Sequence, residues 1–303
     1  MQVKVSVIIV NYNTCNYLEG CLRSIYEKTH RVSFEVLVID NASSDNSVQM
    51  VKSEFSFVKI VESDTNLGFG AANNRAFDEA RGKYIFFLNP DTVLMNDAVS
   101  CLADYLESHP EVALCGGNLY MADHSPNGSY SLSVHSRIRE ICIALNVPYP
   151  LQQERFNTGD SKKVGTISGA DMMIKRTVFE RVDRFDTRFF MYYEEPDLCS
   201  RIHTAGFEIH SVPEAKIIHF EGAASNLHVV FDKPSKFIFI DSQLTYARLY
   251  MKETWILLLG IHFCKGLLGY LLYTLKKNDR RKTYWLNYLK TVCYGKAVYT
   301  QTT

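Results

Sequence analysis

The sequence predicts an α/β fold, a mostly parallel sheet with helices on both faces, followed by a C-terminal helical extension. Three observations carry that prediction. Apolar β-branched runs alternate with segments of helical period from residue 3 to about residue 115, the pattern of strands joined by crossover helices. Three of the strand-like runs end in polar clusters, Asn11-Tyr12-Asn13, Asp40-Asn41-Ala42-Ser43 and Asn89-Pro90-Asp91-Thr92, and ligands of such sheets sit outside the carboxyl ends of the strands. After about residue 225 the alternation stops and aromatic and apolar stretches take over.

Val3 to Val10 is a continuous β-branched run, read as a strand buried on both faces. Leu18, Cys21, Leu22 and Ile25 then recur at helical spacing within Asn16 to Lys28. Phe34 to Ile39 is a second buried strand, and Ser43, Ser44 and Asp45 are good caps for a helix reaching about Phe55. Val58 to Val61 makes a third strand. The turn Asn66 to Gly70 leads into a helix over Ala71 to Ala80, and Tyr84 to Leu88 makes a fourth strand. A helix near Asp97 to Ser108 and a strand near Val112 to Cys115 follow. Tyr120 to Lys163 reads as an irregular excursion. Regular structure returns with a strand over Val164 to Lys175, an acidic helix from Pro196 to Ala205 stopping at Gly206, and strands over Phe207 to Val212 and Ala215 to His219.

Beyond that point Phe237 to Met251 reads as an aromatic helix. Thr254 to Leu275 is long enough to cross a bilayer, but Lys265 sits in its middle with His262 nearby. Lys276, Lys277, Arg280, Arg281 and Lys282 follow it. An apolar helix with a basic flank suits an interfacial segment on an anionic leaflet; the alternative is a helix packed on the preceding domain.

A chain of 303 residues fits one large domain with an appendage, here divided as 1–225 and 226–303. Basic and acidic side chains balance at 33 each, which argues against a nucleic-acid partner. The eight cysteines form no CxxC pair, and no secretory signal precedes the opening strand. They are read as buried thiols of a cytoplasmic protein.

Several residues stand where chemistry is possible. Asp40 ends a buried strand, where its carboxylate can accept from a base N–H or cap a helix, and Tyr12 offers a face for stacking a base or for ordinary packing. Gly68, within Asn66-Leu67-Gly68-Phe69-Gly70, could let backbone approach a phosphate. Asn73 occupies the last glycine position of the dinucleotide fingerprint, so that motif is not met. Asp91 can hold Mg2+ or Mn2+ while the ion keeps substrate phosphates as its other ligands, or serve only as a turn former; His219 can be a further ligand or a structural histidine. Glu194, Glu195 and Asp197 crowd three carboxylates into four positions, which costs stability unless something needs them. Asp197 fits a first-turn acid pairing with Arg201 one turn on. Glu194 and Glu195 are expected just before the helix.

The stretches "VSVIIVNYN", "VIDNASSDNS", "NLGFGAANN", "FFLNPDT", "SGADMMIKR", "FDTRFFMYYEEPDLCSRIHTAGF" and "IIHFEGAAS", in this order and spacing over roughly residues 3 to 225, resemble glycosyltransferase family 2 in its rhamnosyltransferase-like branch. The resemblance implies a GT-A, Rossmann-like fold and an inverting transfer that needs a divalent metal. It places nucleotide contacts on Asn11, Tyr12, Asp40 and Asn74, the metal-binding aspartate on Asp91, and a histidine assisting the metal or diphosphate on His219. It puts Ser168, Gly169 and Ala170 in a loop near donor sugar and acceptor. Two positions depart from the family pattern: Asn89 replaces the first carboxylate of the usual DxD, and Glu195 stands where the family has its catalytic aspartate, with Glu194 in reserve.

The implied donor is a nucleoside-diphosphate sugar, dTDP-rhamnose by the branch or a UDP-sugar. The implied acceptor is a saccharide linked to a polyprenyl diphosphate at the inner face of the plasma membrane, in cell-surface polysaccharide synthesis. A nucleotidyltransferase is the first alternative, but the loop after the first strand lacks the Gly-rich basic character that grips a triphosphate. An NAD-dependent oxidoreductase is disfavoured because the Gly-rich turn follows the third strand. A non-catalytic nucleotide-sugar-binding protein is the third.

Overall fold

The computed structural model describes residues 3–134, 136–149, 154–220 and 234–295. The chain begins β1 (Val5–Asn11), α1 (Cys15–Lys28), β2 (Phe34–Asp40), α2 (Ser47–Glu54), β3 (Lys59–Glu62), α3 (Phe69–Phe77) and β4 (Tyr84–Leu88). It continues through β5 (Thr92–Leu94), α4 (Ala98–Ser108), β6 (Val112–Tyr120), β7 (Tyr130–Ser131), α5 (Arg137–Leu145), β8 (Lys162–Lys163), β9 (Thr166–Ile167) and β10 (Asp171–Lys175). The last elements are α6 (Arg176–Arg181), α7 (Glu194–Thr204), β11 (Glu208–His219), α8 (Pro234–Tyr250), α9 (Lys252–Leu275) and α10 (Asp279–Tyr294). Two compact units result: residues 1–134, 153–187 and 194–226 form one, and 135–152, 188–193 and 227–303 the other. The expected division at 225/226 lies outside the described residues.

The first unit is built on a sheet of order β3-β2-β1-β4-β10-β6-β11-β5, with β8 added against β11. β1 runs parallel to β2 and β4, and β2 to β3, as crossover helices require. β10 then enters antiparallel to β4 and β6, and β5 antiparallel to β11, so the sheet is mixed beyond its first four strands. Strand alternation explains the two faces. Val5, Val7 and Ile9 join Leu18, Leu22 and Leu102 from α1 and α4 on one side. Ile8, Leu37 and Ile39 join Ala72, Phe179 and Ile202 from α3, α6 and α7 on the other. With both faces covered, the central strands read as continuous apolar runs.

Several expected boundaries move, each for a physical reason. β6 runs on to Tyr120 through Gly116 and Gly117, which look like a strand terminator. A Cβ on Gly117 would come within 2.5 Å of the Ala215 carbonyl oxygen, so close approach of β11 is what glycine serves there. The expected strand over Val164 to Lys175 is two strands, β9 and β10, separated by Ser168-Gly169-Ala170. The two expected strands over 207–219 are one, β11, with register shifts against β6. At α2 the cap position falls on Asn46 without a side-chain bond, while Asp45 Oδ1 accepts from Ser47 N at 3.1 Å and Ser47 Oγ at 2.6 Å.

The largest shift is at α7. Glu194 and Glu195, expected ahead of the helix, are its first two residues. Carboxylates in a first turn complement the helix dipole, and Pro196 there has no N–H to leave unpaired. Asp197 is buried and its Oδ2 accepts two bonds from Arg201, from Nε at 2.9 Å and from Nη2 at 2.5 Å. Arg201 also donates to the carbonyls of Val182 and Arg184. The structural role expected for Asp197 is the one it has.

Candidate functional site

The carboxyl ends of β1 and β2 meet in register, Asn11 opposite Asp40. Asn11 is fully buried and its amide organises the corner: Nδ2 donates to Asp40 Oδ1 at 3.0 Å and to Ser43 Oγ at 3.1 Å, while Oδ1 accepts from Thr14 Oγ1 at 2.6 Å. Asp40 Oδ2 accepts the Ser43 N–H at 2.9 Å. Each oxygen of Asp40 keeps a lone pair beyond these bonds. Tyr12, next to this corner in sequence, is 42 % exposed and so offers a ring face to solvent.

Asn41 carries the network on. Its Nδ2 donates to Asn66 Oδ1 at 2.8 Å and its Oδ1 accepts from Leu67 N at 2.8 Å. These bonds fix the turn that enters α3 through Gly68, whose φ of 81° and ψ of 179° suit glycine. Asn74 lies one turn into α3 and grips the backbone of Phe185 from both sides, Nδ2 to O at 2.8 Å and N to Oδ1 at 3.1 Å. The sequence does not mark Thr14, and it marks Asn41, Ser43 and Asn66 only as members of a polar cluster, a helix cap and a turn. The DNAS cluster was the available signal, and only the fold shows which of its members bond inward.

A second cluster forms where β4 ends. β5 pairs with β11 so that His219 stands opposite Thr92, which brings residues 128 positions apart in the chain together: His219 Nε2 is 3.3 Å from Asp91 Oδ1. Asn89 Nδ2 lies 3.4 Å from the same nitrogen. Both Asp91 and the His219 side chain are largely buried, and His219 Nδ1 has no hydrogen-bond partner among the described residues. A carboxylate oxygen and an imidazole nitrogen at this separation are what neighbouring ligands on one ion present when metal–ligand bonds are about 2.0–2.1 Å. Among the described residues no group of three His, Cys, Asp or Glu side chains gathers to hold an ion. The pair can supply two ligands to a divalent ion, whose remaining ligands would come from outside this pair. Glu221 and Gly222, which follow this strand, lie outside the described residues.

The third cluster joins the second through the backbone. Asn89 N donates to the Ala170 carbonyl at 3.0 Å, and β10 pairs Asp171 with Leu88, so Ser168-Gly169-Ala170 lies at the same sheet edge as Asn89 to Thr92. Ser168 N is held by the Ser129 carbonyl at 2.9 Å. Asp171 is wholly buried, its Oδ2 accepts from Gly117 N at 2.6 Å, and burial pushes its carboxyl pKa well up. Glu195 reaches this loop from the first turn of α7. A Cβ on Gly169 would overlap Glu195 Oε1 and lie 2.9 Å from its Cγ. Glycine is what allows the carboxylate to lie against the loop backbone. Glu194 is buried, 3 % exposed, whereas Glu195 is half-buried. The two adjacent acids thus differ in access to solvent.

The site in outline is a polar corner at one pair of strand ends, a carboxylate–imidazole pair at the next, and a carboxylate against a glycine loop tied to that pair. The family model for "Glycosyl transferase family 2" matches residues 6–183, which spans the corner, Asp91 and the glycine loop. An N-acetylglucosaminyl-diphospho-decaprenol L-rhamnosyltransferase of Mycobacterium tuberculosis is 28 % identical over 260 residues, covering 77 % of this chain and 83 % of the relative. The rhamnosyltransferase WbbL of Escherichia coli K12 is 25 % identical, over 71 % of this chain and 83 % of its own. In fold, the chain resembles a crystal structure of GalNAc-T7 with UDP, GalNAc and Mn2+ (TM-score 0.61, 13 % identity), covering 99 % of this chain and 58 % of that one. It also resembles Staphylococcus aureus TarS 1–349 (TM-score 0.54, 16 % identity), over 99 % and 92 %. The expected GT-A architecture is the one observed. A match over more than half the chain, across the polar corner, Asp91 and the glycine loop, makes this protein a glycosyltransferase of family 2, similar in sequence to rhamnosyltransferases.

Proposed function

We propose that this glycosyltransferase moves a sugar, with inversion, from a nucleoside diphosphate to a hydroxyl of a lipid-linked saccharide. The observation that carries the reading is the continuity of the second and third clusters, from Asp91–His219 through the Asn89–Ala170 hydrogen bond to Gly169 and Glu195. Asp40 would accept from a base N–H and Tyr12 would stack on the base. Asn11 holds Asp40 in place, Gly68 shapes the turn beside it, and Asn74 ties α3 to the Phe185 backbone.

Asp91 and His219 would hold Mg2+ or Mn2+, which when bound supplies positive charge to the leaving diphosphate. The acceptor hydroxyl forms the new bond to the anomeric carbon as the bond to the diphosphate oxygen breaks. Its proton passes to Glu195, which then carries it as the neutral acid. Against Gly169 the Glu195 carboxylate lies close to the loop backbone, an arrangement that favours orientation over reach. Glu195 is one methylene longer than aspartate, and the glycine loop leaves the room that longer side chain needs.

Two measurements test this. Thermal denaturation with a panel of nucleotide sugars, with and without Mn2+, should raise the midpoint selectively for one donor; dTDP-rhamnose is the first choice, and UDP-sugars are the comparison. A flat response across the panel contradicts the reading. Gly169→Ala should displace the Glu195 carboxylate and lower kcat by about 10²-fold while leaving the donor-induced shift unchanged. An unchanged kcat would remove the loop from the mechanism. The acceptor assay uses a polyprenyl-diphosphate-linked saccharide, the kind of acceptor named for the Mycobacterium tuberculosis relative.

A further inference from the structure

Helix α9 in the second unit is built inside out. Its buried positions include Thr254, His262, Gly266 and Gly269, and His262 and Lys265 turn their nitrogens inward to partners within the unit. His262 Nδ1 accepts from Tyr288 OH of α10 at 2.6 Å, and its Nε2 donates to Gln243 Oε1 of α8 at 2.9 Å. Lys265 Nζ donates to the Ala144 carbonyl of α5 at 3.2 Å. The outward face is the opposite: every exposed position from Ile256 to Leu272 is apolar, glycine or cysteine. Ile256 is 66 % exposed, Leu268 68 %, Leu271 50 % and Leu275 82 %. At about 1.5 Å per residue this stripe is roughly 24 Å long, a contiguous apolar surface of the kind that marks an interaction site.

Charge says what covers it. The whole chain is neutral, with 33 basic and 33 acidic side chains. Residues 252–295 nonetheless carry eight Lys and Arg against two Asp and Glu. Five of these, Lys276, Lys277, Arg280, Arg281 and Lys282, cluster where α9 turns into α10. Apolar stripe and basic turn together complement a bilayer with anionic headgroups.

A span is the alternative, since α9 has 24 residues and its most apolar 18-residue stretch has a mean hydropathy of 1.7. The neighbours oppose it. α10 runs back along α9, so closely that a Cβ on Gly266 would meet Leu289 and one on Gly269 would overlap Trp285. Lys282 Nζ lies over the Tyr270 ring at 5.9 Å. A bilayer surrounding α9 would take α10 into hydrocarbon with Lys282, Asn287 and Lys290, and would reach the polar bonds to α5 and α8 as well.

We propose that α9 lies along the surface of an anionic bilayer, its Ile256–Leu275 stripe sunk to the acyl boundary and the α9–α10 turn on the lipid phosphates, so that the protein is monotopic. The attachment rests on the membrane-bound-acceptor reading for its purpose only; vesicle binding and sugar transfer are measured separately, and either can fail alone. The full chain should float with phosphatidylcholine–phosphatidylglycerol vesicles, and less with phosphatidylcholine alone or in high salt. Leu268→Glu with Leu271→Glu should weaken that binding about tenfold or more, with circular dichroism and transfer to a soluble acceptor analogue unchanged. Leu275→Glu, at the most exposed position, serves if the double variant fails to fold.

In sealed membrane vesicles with the sheet unit outward, Lys277→Cys should react with an impermeant maleimide before permeabilisation. Labelling of residue 277 only after permeabilisation means a span and overturns the proposal. Binding to vesicles that is absent, or unchanged by the substitutions, also overturns it. So does a wild-type dimer in water that the double variant loses while vesicle binding stays the same, since a second copy would then cover the stripe.

Discussion

Glu195→Gln should lower kcat for transfer by about 10²–10⁴-fold, the usual worth of a general base, with the donor-induced thermal shift preserved. Glutamine keeps the shape of the side chain and its fit against Gly169, so the loss would report the missing proton acceptor. The control is Glu194→Gln. Glu194 is 3 % exposed, and its replacement should act on stability before it acts on kcat. A Glu195→Gln enzyme with near-normal turnover would take Glu195 out of the base role, and a large kcat loss confined to Glu194→Gln would transfer that role to its neighbour. Glu195→Asp is informative too, since it shortens the reach by one methylene and should fall between glutamate and glutamine.

Chelation should abolish transfer, and Asp91→Asn should lower kcat on the order of 10²-fold while weakening metal binding. Asp91 and His219 are close enough to share an ion, and among the described residues no third His, Cys, Asp or Glu joins them. A site with two protein ligands depends on the diphosphate to complete it. Mn2+ binding, followed by the metal's own magnetic resonance signal, should therefore be weak without nucleoside diphosphate and strong with it. Asp91→Asn and His219→Ala should each reduce the diphosphate-dependent part. Transfer indifferent to EDTA, or Mn2+ binding indifferent to both substitutions, would sink this site. Asn89, where the family pattern has a carboxylate, gives a further comparison: Asn89→Asp adds a charged oxygen beside His219 and should tighten metal binding.

The parts of the fold legible in the sequence are those with strong periodicity. β1, β2 and β4 announce themselves because both their faces are buried, and α1 because one stripe is. The expected pairing of Asp197 with Arg201 follows from helical spacing alone and is observed. Misreadings fall where long-range contact overrides local pattern. Gly116 and Gly117 look like a break but are crowded positions inside β6. The start of α7 is displaced because Tyr192 and Tyr193, just before it, both take φ of 68°, a conformation that neither side chain favours and that no local pattern foretells. The sequence predicts neither α5 nor α10, although Ser136 and Asn278 cap them, accepting from the Arg139 and Arg281 N–H groups. In both cases the apolar period is short.

By itself the sequence determined the chemistry available: a carboxylate at the end of the second strand, Asp91 after the fourth, a glycine loop, and two adjacent acids at a helix start. Those are local facts, set by residue type and by the period of burial around them. Only the tertiary structure decided which of them meet. Strand pairing brings His219 to Asp91, a backbone bond ties Asn89 to Ala170, and the rotation of α7 turns Glu195 toward Gly169 while burying Glu194. The same holds for α9, where composition permits both a span and a surface helix. The packing of α10 and the inward hydrogen bonds of His262 are what support the surface helix we propose over the span, because polar groups satisfied on one side leave the other side for lipid.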